Sequence, residues 1–89
     1  MRITPLFHRL RAALPREGEQ RFKNDSMSML VTRQDVPFTI FSVLVKQGGH
    51  CGWITLQADN GKIVSHHPRN VDLVEQALDV FVADDRRAS

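Results

Sequence analysis

Nine consecutive residues, Phe38 to Lys46 (FTIFSVLVK), constrain this 89-residue chain more than any others. They are rich in β-branched and aromatic side chains and read as a strand. Alternation puts Phe38, Ile40, Ser42 and Leu44 on one face and Thr39, Phe41, Val43 and Val45 on the other. Both faces are largely apolar. A strand of that kind normally lies in the middle of a sheet covered on both sides. Two covers are needed, and the remaining pattern offers only two helices to supply them.

The first helix is expected from Thr4 to Leu14. Leu6, Phe7, Leu10 and Leu14 share one side of a 3.6-residue period, Thr4 suits the N-cap and Pro5 the first helical position. Pro15 makes Leu14 a boundary. A helix this short is marginal alone in water and must dock to persist. The second helix follows Pro68, with Asn70 as its N-cap and Asp72 at the positive end of its dipole. Val71, Val74, Ala77, Leu78, Phe81 and Val82 form its apolar stripe, while Asp72, Glu75, Gln76 and Asp79 face water. Asp84 to Ser89 reads as a frayed tail.

Other strands flank the central one. Met29 to Arg33, Trp53 to Ala58 and Lys62 to His66 have strand composition, and Asp59-Asn60-Gly61 marks a hairpin. A two-residue Asn60-Gly61 loop sets Ala58 against Ile63 and Ile54 against His67. A type I turn with a bulge sets Leu56 against Val64 and Ile54 against His66. The second register pairs two apolar residues and is preferred on that ground. The polar stretch Pro15 to Ser28 reads as a linker. The expected fold is α+β: an N-terminal amphipathic helix, an antiparallel three- to four-stranded meander, and a C-terminal helix packed on the sheet. Residues 1–28 form the basic helix and linker, residues 29–89 the folded domain. Trp53, Leu56, Val64, Leu78 and Phe81 are the expected core between that helix and the sheet, or its immediate margin.

Size and composition remove several classes. A 10.1 kDa chain is one small domain, and 42% hydrophobic with 25% charged residues is ordinary for a globular protein. The single cysteine, Cys51, forms no internal disulfide. No apolar run reaches the ~18–20 residues of a membrane-spanning helix, and the expected location is cytoplasmic.

Few residues suggest chemistry. His50, Cys51, His66 and His67 are the one local group of metal-ligand types, brought towards each other by the hairpin. Neighbours in a strand point to opposite faces, however, and no paired ligand spacing typical of zinc sites is present. Cys51 with a histidine lacks the orienting third group that nucleophilic catalysis requires. Gly48-Gly49 lies between strands, which is the wrong setting for a phosphate loop. No catalytic residue, metal or cofactor is therefore assigned.

Two binding functions come first, with metal-binding or thiol chemistry at Cys51 a distant third. The first is a small non-catalytic protein-binding regulator, adaptor or inhibitor, acting through an apolar sheet face or edge strand. Its interface would hold Phe38, Ile40, Phe41, Val43 and Val45, filled by another protein or by a second copy as a homodimer. The second is a nucleic-acid-associated protein using a basic arm. Residues 1–23 carry Arg2, Arg9, Arg11, Arg16, Arg21 and Lys23 against Glu17 and Glu19, although the chain's formal net charge is only +2. The acidic second helix and the scarcity of exposed rings favour the protein partner.

Overall fold

The computed structural model describes residues 3–82. Helix α1 (Ile3–Ala13) is followed by strands β1 (Gly18–Lys23), β2 (Met27–Gln34), β3 (Ile40–Gln47), β4 (His50–Asp59) and β5 (Lys62–His66). A short 3₁₀ turn, Pro68–Asn70, leads into helix α2 (Val71–Phe81). The strands form one antiparallel meander in the order β1-β2-β3-β4-β5. The α+β class is as expected, with five strands rather than three or four. Arg2 and Asp84 to Ser89 lie outside the described residues.

The additional strand comes from the stretch read as a linker. Residues Gly18–Lys23 are polar because they form an edge strand exposed almost throughout, so no apolar alternation marks them. Phe22 is their one inward anchor, stacked on Phe81 of α2 with ring centroids 5.5 Å apart. The β1–β2 hairpin is closed by Asn24, whose Oδ1 accepts the backbone N–H groups of Ser26 (2.9 Å) and Met27 (2.8 Å). Residues 3–28 are thus no appendage. Leu6, Phe7 and Leu10 belong to the same buried cluster as the sheet residues.

Both helices lie on one face of the sheet. Register places Met29, Val45 and Gly52 in one row, Val31, Val43 and Ile54 in the next, and Phe41 beside Leu56 in a third. Every apolar side chain in those rows is at most 1% exposed. From α1, Phe7 meets Phe41 edge-on at 5.2 Å between centroids, while α2 contributes Val71, Val74, Ala77 and Leu78. Arg9 of α1 reaches Asp79 of α2 at 2.8 Å, an exposed pair worth at most about 1 kcal/mol. One helix per face is therefore not the arrangement. The inner face takes both.

Two side chains fix where the helices end. Arg33 is nearly buried, with Nη1 donating to the Leu14 carbonyl (3.0 Å) and Nε to Asp35 (2.8 Å), while its guanidinium stacks 5.5 Å from the centre of Phe41. A cation at the negative end of α1 is electrostatically favourable. At α2, the expected N-cap Asn70 makes no capping hydrogen bond through its side chain. Its Nδ2 instead donates to the Trp53 carbonyl at 2.7 Å, which ties the helix start to β4. Gly52 permits that closeness. A Cβ there would sit 2.5 Å from a Leu73 methyl and 3.3 Å from the Asn70 amide.

The β4–β5 hairpin takes the register set aside on the sequence pattern. Asn60 (φ 54°) and Gly61 (φ 83°) both have positive φ, as a two-residue type I′ loop demands. Ala58 faces Ile63 and Leu56 faces Ser65. The right-handed strand twist matches this turn, and that outweighs one Leu56–Val64 pairing. Val64 accordingly points outward and is 41% exposed, and Trp53 is 44% exposed, so neither belongs to the core. Leu56 and Leu78 are fully buried, with Phe81 at the margin.

Adjacent residues on β3 test this one-sided packing. Val43→Asp buries an unpaired charge, which costs several kcal/mol, and should unfold most molecules at 25 °C. Leu44→Asp on the opposite face should leave the circular dichroism spectrum and melting midpoint nearly unchanged. Equal effects would contradict the arrangement. Gly52→Ala should cost about 1–2 kcal/mol by overpacking. Adding Leu73→Ala should make the Gly52 change nearly neutral in chemical denaturation, since the methyl it meets is gone.

Candidate functional site

The face opposite the helices carries no cover from any described residue. Three rows cross it in register. The first runs Lys23, Ser28, Lys46 and Cys51, and the second Arg21, Leu30, Leu44 and Trp53. The third runs Glu19, Thr32, Ser42, Thr55 and His66. Ile40 and Val64 extend the apolar part beyond the third row, on either side of Gln57. Leu30, Leu44 and Ile40 are half-buried by their neighbours, which leaves a mixed surface with an apolar band across its middle.

Trp53 lies across that band. Its indole N–H donates to the Ser42 hydroxyl at 2.8 Å, which satisfies the ring's one polar atom and holds it towards β3. His67 packs on it from the other side at 5.1 Å between centroids. His67 has φ 60°, the left-handed conformation, at the bend between β5 and the 3₁₀ turn.

Charge gathers at one corner. Arg21, Lys23 and Lys46 stand around a hollow of about 180 Å³ whose floor includes Leu30 and Leu44. That is below the ~300–1,000 Å³ of most small-molecule sites. It is room for side chains. Glu19 takes the Nε of Arg21 at 3.2 Å, whereas Lys23 and Lys46 have no side-chain partner among the described residues. They flank Ser28 on successive strands, ~10 Å apart by strand spacing. A shallower depression, bordered by Asn24 and Asp25, adjoins the hollow past Lys23 and Lys46.

The residues expected at a protein interface divide between the two sides. Phe41, Val43 and Val45 are wholly buried under the helices and form no accessible surface. Ile40 lies on the open face, and Phe38 is half-buried in the loop before β3. Leu30, Leu44, Trp53 and Val64 replace the buried three. Knowing that β3 is central and two-faced would have identified Leu44, but nothing in the pattern indicated which face the helices choose.

The basic arm disperses. Arg9 is engaged with Asp79, Arg11 lies exposed on α1 and Arg16 in the following loop, and only Arg21 and Lys23 share the sheet's open face. Nor do the potential metal ligands assemble. His66 pairs with Thr55, four residues along β4 from Cys51, or ~13 Å. Among the described residues no three His, Cys, Asp or Glu side chains are placed to hold a metal ion together.

Comparison with protein-family models, with curated proteins and with solved structures finds no match. The face must be read from its own chemistry.

Trp53 is the chain's one tryptophan and so reports directly on this face. Ser42→Ala removes the acceptor of its indole N–H without touching the core. Its emission should shift to longer wavelength and acrylamide quenching should increase, with the melting midpoint changed by less than a few degrees. Unchanged fluorescence would mean the ring is not held by Ser42.

Proposed function

We propose that this protein is a non-catalytic binding module, an adaptor or inhibitor, that engages another protein through the uncovered face of its sheet. One observation carries the reading. Both helices occupy the inner face, and the outer one presents Leu30, Leu44 and Trp53 as a continuous band crossing three strands. An apolar band that includes a large amphipathic ring and has a polar rim is the usual make-up of a protein interface. Tryptophan is also the residue type most concentrated at energetic hot spots.

A second copy suits this face poorly. Arg21, Lys23, Lys46 and Lys62 stand on it against Glu19 and Asp59, a surplus of positive charge. Face-to-face pairing of two copies would set like charges together, which costs affinity. An acidic protein would gain from the same surplus. Single-stranded nucleic acid is also disfavoured, because such platforms stack successive bases on several rings along a basic track. Here Trp53 is a lone exposed indole, and three of the four cations crowd one corner.

Site-specific photo-crosslinking in the cells that make the protein tests the reading. A crosslinker at Leu44 should capture a discrete protein that one at Gln76, on the opposite side of the molecule, does not. Leu44→Asp, tested with the crosslinker at Thr32, should abolish the capture while the protein remains folded. Capture of only a second copy, of nucleic acid, or of the same partner from Gln76 would each refute it.

A further inference from the structure

We infer that the partner binds through an extended segment of mixed acidic and apolar residues, a carboxylate seated between Arg21, Lys23 and Lys46 with a neighbouring apolar side chain against Leu30 and Leu44. This rests on the protein-binding reading above and specifies its anchor. Three features of the corner combine. The floor is aliphatic, with Leu30 and Leu44 directly paired across β2 and β3. The walls are cationic on both sides, from Lys23 on β1 and Lys46 on β3. The intervening residue on β2 is Ser28, too short to fill the space or neutralise either ammonium.

Two lysines held on either side of one small residue repel each other mildly. An anion between them removes that repulsion and gains two charge-assisted contacts. The hollow's 180 Å³ is on the scale of side chains, and the depression of about 420 Å³ that continues from it is wide open to solvent. Arg21 already shares its Nε with Glu19, which leaves its two terminal nitrogens to face an incoming carboxylate. Trp53 ends the same row as Arg21, Leu30 and Leu44. A segment anchored at the corner and running along that row would therefore pass from cation to aliphatic floor to indole. Asp25 borders the adjoining depression and would discourage an acidic chain from leaving that way.

The test is a nuclear magnetic resonance titration of the full chain with three probes: a ten-residue peptide alternating leucine and glutamate, the same peptide with glutamine for glutamate, and decathymidylate. The acidic peptide should shift the amides of Ser28, Leu30, Leu44 and Lys46, and bind at least about tenfold more tightly than the glutamine peptide. The Lys23→Glu, Lys46→Glu double variant, checked by circular dichroism and melting, should reverse the preference towards a leucine–lysine peptide. Both positions are exposed, so loss of fold is not expected. Equal binding of the acidic and glutamine peptides, or no shift with either, overturns the anchor. Shifts then confined to Leu44 and Trp53 leave the protein-binding face standing. Perturbation of the helix side alone removes both readings, and tighter binding of decathymidylate overturns the acidic partner in favour of nucleic acid.

Discussion

The contact on which everything else depends is the burial of one sheet face beneath two helices. Phe41 sits at its centre, met edge-on by Phe7 and roofed by the Arg33 guanidinium. Around it Met29, Val31, Val43, Val45, Ile54 and Leu56 close a core with no exposed member. In a chain this small the supply of apolar surface is limited. Spending both helices on one side makes a core thick enough to hold, where one helix on each side would leave two thin ones. The bare outer face is the direct consequence.

The choice of side follows from the neighbours of β3 rather than from β3 itself. Its inward residues adjoin Met29 and Val31 on one flank and Ile54 and Leu56 on the other. Of its outward residues, Ser42 and Ile40 adjoin Thr32, Thr55, Gln34 and Gln57, which tolerate water, and Leu44 alone adjoins apolar neighbours, Leu30 and Trp53. The inner face is apolar over three strands and the outer face over a single band. Gly52 and Arg33 then set the fit: one lets α2 approach β4 within side-chain contact, the other ties the end of α1 to β2. Exposure of the outer band is thus not a packing defect. It is held by hydrogen bonds such as Trp53 to Ser42, which keep a large ring in place without a cover.

The same geometry keeps the potential metal ligands of the described residues apart. Antiparallel register spreads the histidines and Cys51 along β4 and β5 instead of collecting them, and the histidine on the indole face, His67, is committed to packing there. What converges instead is charge over an aliphatic floor, with Arg21, Lys23 and Lys46 around Leu30 and Leu44.

The α+β class, both helices, the central strand and the hairpin at Asn60-Gly61 were legible in the sequence, because each rests on periodicity, strand composition or turn chemistry within a few residues. The caps expected at Thr4 and Asn70 were not, since Thr4 lies inside α1 and Asn70 makes no capping bond through its side chain. The sequence identified Leu78 and Leu56 as core through the same local pattern. It did not reveal β1, since an exposed edge strand such as Gly18–Lys23 carries no alternation to distinguish it from a linker. Nor did it decide that Val43 is buried while Leu44 is open, although both are equally apolar. That difference is a property of which strands stand beside them and where the helices land. Burial in a two-faced strand is assigned by tertiary neighbours, and only the folded sheet brings Arg21, Lys23, Lys46, Leu44 and Trp53 onto one surface.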